Sequence, residues 1–477
     1  MTSETWQPVI GLEVHVQLKT RTKLFCACST AFGARPNTQT CPVCLGLPGT
    51  LPVPNLEAVR KAALAGVVLH CTVNDESKFD RKHYFYPDLP KNYQISQFDR
   101  PICSNGFLEA GGKKFRILRA HLEEDAGKLI HDQDPANSKV DLNRAGVPLV
   151  EIVSEADFRH ADEAVAYLTE LRAVLRAAGV SDCEMQEGSL RCDVNVSLRA
   201  GPDAPFGTKV EVKNLNSFKG VHKAILFEQS RQAAVLDAGQ RVVSETRSFQ
   251  ADSETTVSLR SKEVASDYRF FPEPDLPPLK LREAGIDVEA LRRGLPELPA
   301  AQRERLLRQY GLKPYDVEIL TREREVTEWF EACAGLYPNA QTLAGWLKTE
   351  VLEFSVNRGV ALASFCMTPQ RMAAFLADMD RRGLNRSRQR ELFGKVVSAG
   401  GDVATALQDV KDEAIGDAGA LEALVDEVIR EHGPVAEQYR TGKDEALSFL
   451  MGQVMKKSKG RAKGGAVSAI FLKRLRP

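Results

Sequence analysis

Residues 8–18, Pro-Val-Ile-Gly-Leu-Glu-Val-His-Val-Gln-Leu, alternate as a strand does, most clearly from Leu12 on. That period of two predicts a strand with Glu13, His15 and Gln17 on one face and Leu12, Val14, Val16 and Leu18 on the other. The alternation returns in Leu190-Arg-Cys-Asp-Val-Asn-Val-Ser-Leu198, where Asp193, Asn195 and Ser197 share a face. After a turn over Gly201–Gly207 it returns again in Thr208–Asn214, with Lys209, Glu211 and Lys213 together. These two stretches predict an antiparallel hairpin with a polar face of mixed charge. Residues 106–155 read as further strands and turns, and Glu151 lies inside an apolar run there. A carboxylate in such a run is paired, a ligand, or at the rim of a cleft, because burying it bare is costly.

Helical periods interrupt the strands. Residues 56–70 follow the Pro-rich Leu51-Pro-Val-Pro54 and a capping Asn55. Residues 160–178 carry Ala164, Leu168, Leu171 and Leu175 on one stripe, with Gly179 at the end. A third helix is expected near 221–238. Between the first helix and the strands, 76–97 is dense in aromatics, prolines and charge with no period, and predicts a long loop of functional type. Its Tyr84-Phe-Tyr-Pro-Asp-Leu-Pro90 is echoed by Tyr268-Arg-Phe-Phe-Pro-Glu-Pro-Asp-Leu-Pro-Pro278. Beyond Gly294-Leu-Pro-Glu-Leu-Pro299 the alternation stops and helical patterns run to the end. Gly400-Gly401 divides that part.

Composition narrows the class. The chain has 477 residues, 43% of them hydrophobic and 27% charged, which suits a globular protein of several domains. No apolar run approaches the roughly 18 residues of a membrane helix, and the N-terminus has no secretory pattern, so a cytoplasmic protein is expected. Formal net charge is zero, but Ala446–Pro477 holds eight Lys or Arg and no acid, which leaves −8 for everything before it. A basic end of that kind suggests a polyanion contact, through Lys456, Lys457, Lys459 and Arg461.

Two stretches carry candidate chemistry. Cys26-Ala-Cys28 and Cys41-Pro-Val-Cys44, twelve residues apart, form a zinc-knuckle pattern, and four thiolates suit a closed, structural Zn²⁺ site. Arg119-Ala-His-Leu-Glu-Glu-Asp-Ala-Gly-Lys128 sets Glu123, Glu124 and Asp125 side by side. Two carboxylates ~4 Å apart repel by ~4 kcal/mol at an effective dielectric near 20. In a cleft they draw in a proton or a hard cation with oxygen ligands. The chain has no Gly-x4-Gly-Lys-Ser/Thr loop, no Gly-x-Gly-x-x-Gly opening a helix, and no Gly-x-Ser-x-Gly or His-Glu-x-x-His. Any nucleotide chemistry would rest on metal held by carboxylates on a sheet.

Val9–Lys19, Ser77–Lys82, Tyr84–Asp88, Tyr93–Phe98, His121–Lys128, Gly188–Asp193, Lys213–Phe218 and Asp267–Asp275 together resemble the GatB family. Members of that family are the B component of the tRNA-dependent Asp/Glu amidotransferase, and the likeness covers nearly the whole chain. The resemblance implies an α+β cradle with a mostly antiparallel, glutamine-synthetase-like sheet over 1–293, an all-α helical domain over 294–405, and a YqeY-like all-α tail over 406–477 that contacts tRNA. It implies that ATP phosphorylates the side-chain carboxylate of Glu-tRNA(Gln) or Asp-tRNA(Asn), and that ammonia then displaces the phosphate. The ammonia comes through a channel from an amidase subunit, GatA, and a small subunit, GatC, completes the heterotrimer. Catalytic candidates are Glu13, His15, Glu123, Glu124, Glu151, Asp193 and Glu211, with Glu13, His15, Glu124 and Glu151 as Mg²⁺ ligands. Lys78 is placed by the same resemblance near the ammonia route. Lys463-Gly-Gly-Ala466 departs from the Asn/Asp-Pro start that the family's last helix usually has. A non-catalytic tRNA-binding protein of the same fold is the alternative. The archaeal relative GatE is disfavoured, because 272–299 leaves no room for its inserted domain.

Overall fold

The computed structural model describes residues 6–131, 137–261, 268–400, 402–408, 418–458, 462 and 464–476. It is α+β. Nine strands form one sheet: β1 (Gln7–Gln17), β2 (Thr72–Val73), β3 (Cys103–Ala110), β4 (Lys113–Glu124), β5 (Pro148–Ser154), β6 (Leu190–Arg199), β7 (Val210–Leu215), β8 (Glu245–Gln250) and β9 (Thr255–Ser261). Their order is β9-β8-β7-β6-β1-β5-β4-β3-β2, with β1 near the centre. All neighbours are antiparallel except β7 and β8. The alternating stretches of the sequence therefore lie side by side, β6 pairing with β1 on one edge and with β7 on the other.

Three helices supply the apolar backing: α1 (Leu56–Val68), α2 (Ala161–Ala177) and α3 (Phe218–Asp237). Leu12, Val14 and Val16 of β1 are fully buried in the same core as Leu168, Leu171 and Leu175 of α2. Asn55 caps α1, its side chain accepting from the backbone N of Glu57 at 3.0 Å. The third helix starts earlier than its apolar pattern suggested because Ser217 caps it, accepting from Gly220 N at 3.0 Å. Helix α1 sits close against β3: a Cβ on Gly66 would lie 2.2 Å from Cys103 Sγ.

The segment 76–97 is not the structureless loop that its composition suggested. It contains Asp80–His83 and Tyr93–Ser96, which pair with each other and with Phe271–Pro272 in a three-stranded sheet. The two aromatic-proline segments that echo one another in sequence thus pack together. Phe98 stacks on Phe270 at 4.3 Å, and Arg81 forks onto Glu273 at 2.8 Å through two nitrogens.

The chain divides into two compact units, Met1–Pro299 and Ala300–Pro477. Leu295 and Leu298 still pack on the core of the first. The second unit is helical throughout its described residues and holds two separate apolar clusters, one spanning Leu306–Leu407 and one Leu421–Leu475. Among the described residues no helix is long and apolar enough to cross a membrane.

Candidate functional site

The sheet face opposite the helices is polar, and register decides who meets whom on it. In β1, His15 stands opposite Glu151 of β5, and Glu151 stands opposite His121 of β4. Directly opposed residues share a face. One row across three strands therefore reads His15, Glu151, His121, and Glu123 lies one step along β4.

His15 Nε2 is 3.5 Å from Glu151 and 3.8 Å from Glu123. His121 Nε2 is 3.4 Å from each of the same two carboxylates. Ser96, from the small sheet, donates to Glu123 at 2.9 Å. His121 is 3% exposed, Glu123 1% and Glu151 7%, so the carboxylates meet the histidines with little water between. Burial alone would lower the His121 pKa, but Glu151 and Glu123 outweigh it and raise it to about 9. His15 moves up by the same balance. Burial opposes ionisation of Glu151, yet His121 and His15 hold it well below the carboxylate range, and His121 holds Glu123 down likewise. Lys82 reaches the same field; burial acts to lower its pKa, and Glu123 and Glu151 raise it.

The flanks carry the rest of the face. Asp193 accepts from Lys213 at 2.5 Å, and Lys213 lies 3.1 Å from Glu211, which also accepts from Thr246 at 2.8 Å. Glu13 stands two residues before His15 and is held by Asn195 Nδ2 at 2.9 Å. Buried Asp125 takes Arg191 and Gln17, both at 2.9 Å, which fixes the guanidinium beside His15. Arg191 stands opposite His15 in β6.

Not every expected residue comes to this centre. Glu124 follows Glu123 on a strand, so it points the other way. There it accepts from Ile95 N at 3.0 Å and ion-pairs with Lys91. Strand alternation thus parts it from His15 and Glu151, with which it was grouped as an Mg²⁺ ligand. Glu13 lies on the face, but outside the group whose ligand atoms converge. That group is His15, Glu123 and Glu151, all within 4.8 Å of one another. Lys78 is ion-paired with Asp80 and Asp99, both at 2.7 Å. Lys456 is exposed on the helix Glu445–Lys457, and Lys457 bonds Glu427 and Glu431 at 2.7 and 2.6 Å. Lys459 and Arg461 lie outside the described residues. Sequence reasoning left out His121, Lys82 and Arg191. His121 and Arg191 each stand two residues before a chosen acid on the same strand, and that spacing was the one signal for them. Lys82 had none, since only the small sheet brings it over β4.

Two groups fit metal. Four sulfurs around a tetrahedral Zn²⁺ with ~2.3 Å bonds lie about 3.8 Å apart. Cys41 and Cys44 Sγ are 3.9 Å apart here, and the set with Cys26 and Cys28 falls within 4.8 Å. Lys23, fully buried, places its ammonium 3.5 Å from Cys44 Sγ, where it offsets the negative charge of a four-thiolate site. At the polar face, ligand atoms of an octahedral hard cation with ~2.1 Å bonds stand about 3–4.2 Å apart. The 3.5 and 3.8 Å separations lie inside that range.

The comparisons with known proteins agree with this layout. The family described as "GatB/GatE catalytic domain" matches residues 8–287, and "GatB domain" matches 328–475. A Carboxydothermus hydrogenoformans protein, named as the B subunit of an aspartyl/glutamyl-tRNA(Asn/Gln) amidotransferase, is 46% identical over 98% of this chain and 99% of its own. The chain belongs to the GatB family. A Myxococcus xanthus protein of the same name is 46% identical over 98% of both chains, and one from Geotalea uraniireducens 47% over 98% of this chain and 99% of its own. The first family match contains the whole polar face, and the second covers all but the first helices of the second unit.

Proposed function

We propose that this chain is the amidating component of a tRNA-dependent amidotransferase, a ligase that converts Glu-tRNA(Gln), Asp-tRNA(Asn) or both to the amide forms. The observation that carries the reading is the convergence of His15, Glu123 and Glu151 on the open face of an otherwise apolar-backed sheet. Phosphoryl transfer is mostly positioning and charge neutralisation, and such a face supplies both. The relatives' names state an amidotransferase acting at aspartyl- and glutamyl-tRNA.

His15, Glu123 and Glu151 would hold the Mg²⁺ that accompanies ATP, and that cation neutralises charge on the transferring phosphoryl group. His121 orients both carboxylates from the sheet side. Ser96 fixes Glu123 from the small sheet, so the ligand geometry is set before substrate arrives. Lys82 and Lys213 add positive charge that faces the acids of this site. Glu13, Asp193 and Glu211 line the flank and are further partners for waters or for a second cation. Glu124 acts beside the site by holding Lys91 and the backbone of Ile95. The reading also includes the heterotrimer with GatA and GatC, ammonia entering near Lys78, a structural Zn²⁺ on Cys26, Cys28, Cys41 and Cys44, and cytoplasmic residence. It keeps the partition into a glutamine-synthetase-like cradle over 1–293, a helical domain over 294–405 and a tRNA-binding tail over 406–477.

The deciding experiment assembles the chain with its amidase and small subunits and supplies Glu-tRNA(Gln), ATP, Mg²⁺ and glutamine. ATP-dependent Gln-tRNA(Gln) that disappears in Glu151→Gln, with glutamine hydrolysis intact, supports the proposal. Amidation unaffected by Glu151→Gln would mean that the face is structural and the chain a non-catalytic tRNA-binding component.

A further inference from the structure

A second cleft opens on the same sheet, toward its β2 edge. Its volume is about 800 Å³, and Asn74, Phe98, Ser104, Asn105, Leu118 and Arg119 line it. Three acids also border it, and each already has a cation: Asp99 is 2.7 Å from Lys78, Glu76 3.0 Å from Arg100, and Asp75 3.6 Å from Arg282. Arg119 is the remainder. Among the described residues no carboxylate pairs with it, and its Nε is buried without a hydrogen-bond partner. A guanidinium stays charged at every working pH, so it cannot relieve this by losing its proton. Leaving a buried donor unmet costs about 1–3 kcal/mol, and more for a charged group. Arg119 is half-buried at this cleft, so an anion entering the cleft can meet its donors.

The position narrows which anion. Arg119 stands two residues before His121 and four before Glu123 on β4, opposite Val153 as His121 is opposite Glu151. Strand rise puts its Cα about 7 Å from that of His121 and about 13 Å from that of Glu123. Its other neighbour, Ser104 of β3, carries a hydroxyl 3.4 Å from the Asn74 amide. Lys78 is shared with Asp80, also at 2.7 Å, so the charges around the cleft balance, and Arg119 is the single guanidinium bordering it with no carboxylate on it among the described residues. A polyphosphate carries several negative charges and asks for several cations; one carboxylate matches one guanidinium and can be gripped by two parallel N–H donors.

We infer that Arg119 binds the side-chain carboxylate of the amino acid esterified to the tRNA, presenting it to the phosphoryl-transfer centre around His121, Glu123 and Glu151. This rests on the amidotransferase reading and names the group that selects its acceptor. The amide product has no negative charge, so the same contact distinguishes substrate from product.

The test uses the assembled amidotransferase with Glu-tRNA(Gln) and Gln-tRNA(Gln), the same tRNA with a carboxylate or an amide. Wild type should bind the first more tightly. Arg119→Ala should remove the preference by weakening Glu-tRNA(Gln) alone about ten- to a hundredfold, with the KM for ATP unchanged, and Arg119→Lys should restore part of it. Arg119→Gln, which keeps side-chain volume and a donor, gives the same readout if the alanine variant does not fold. A wild type that binds both tRNAs alike, variants that keep the wild-type preference, or variants that weaken both tRNAs equally overturn the assignment. A raised KM for ATP with the tRNA preference intact overturns it in favour of a phosphate contact. A wild-type enzyme that makes no Gln-tRNA(Gln) at all sinks the amidotransferase reading itself. An active wild type with an indifferent Arg119 variant sinks only this inference.

Discussion

His121 and Glu151 are opposed in register across β4 and β5, and the imidazole Nε2 lies 3.4 Å from the carboxylate. The same nitrogen is equally close to Glu123, so one buried ring spans both acids that face His15. A residue placed like this fixes where the two carboxylates can be.

The first prediction concerns those oxygens. Glu151→Gln leaves shape and backbone alone but removes one charge from the converging set. Amidation by the assembled enzyme should fall roughly a hundredfold or more, and the Mg²⁺ concentration for half-maximal activity should rise. Glutamine hydrolysis by the partner should persist. Glu124→Gln is the contrast. Because Glu124 points to Lys91 and Ile95, it should leave the Mg²⁺ requirement where it was. Equal shifts in the two variants would show that both carboxylates serve the same cation.

Much of this face could be read from the chain, and the limit was strand phase. Glu13, His15, Asp193, Asn195, Glu211 and Lys213 come from stretches of clean alternation, and the structure lays them on one side. Lys113–Glu124 does not alternate cleanly. Its last five residues, Ala120–Glu124, are all buried, and a register shift at Val153/Ser154 interrupts its pairing. Without the phase, Glu123 and Glu124 are indistinguishable, and only the structure shows that Glu123 is the one facing His15 and Glu151. The convergence itself depends on β5 lying between β1 and β4, and its pairing with β1 joins residues more than a hundred positions apart, which no local pattern encodes. The second aromatic-proline stretch was legible as an echo, but not as a strand partner of the first.

The second prediction is metal. Protein purified without added zinc should hold about one equivalent per chain. Cys41→Ser with Cys44→Ser should lose it and lower the melting temperature, since zinc binding in small knuckles contributes on the order of 10 kcal/mol to folding. Wild-type protein with no zinc and four freely titrating thiols would contradict the assignment.

The third prediction uses a buried acid on one of the backing helices. Glu228 of α3 is fully buried and accepts from Arg231, Gln232 and Thr256, while Arg247 lies 3.1 Å away. Burial acts to raise its pKa, but the bonds from Arg231, Thr256 and Gln232 lower it overall. A depressed folded pKa means that stability is present above the unfolded value near 4.3 and is lost as pH falls through the folded one. Glu228→Gln should therefore cost about 1–3 kcal/mol near neutral pH in denaturant unfolding, and the gap to wild type should close in acid. A gap that stays constant down to low pH would show that Glu228 contributes through packing rather than charge.

The last prediction concerns the basic end. Lys456 is exposed at the last turn of Glu445–Lys457, where no acid follows in sequence. Lys457 differs, because Glu427 and Glu431 already hold its ammonium. A tRNA contact releases counterions, and each phosphate met adds about 0.7–0.9 to the salt slope of log affinity. If all four of Lys456, Lys457, Lys459 and Arg461 met phosphates, neutralising them would flatten the slope by about three units or slightly more. Lys457 must first give up two carboxylates, so its own share should be smallest, and Lys457→Ala alone should change the slope least of the four single variants. Phosphate contacts position without specifying, so Glu-tRNA(Gln) and Asp-tRNA(Asn) should weaken alike. Binding measured from low to high salt decides it. Parallel lines for wild type and the quadruple alanine variant would mean that this end does not touch the tRNA backbone, and a slope change confined to Lys457→Ala would mean that Glu427 and Glu431 are displaced when tRNA binds.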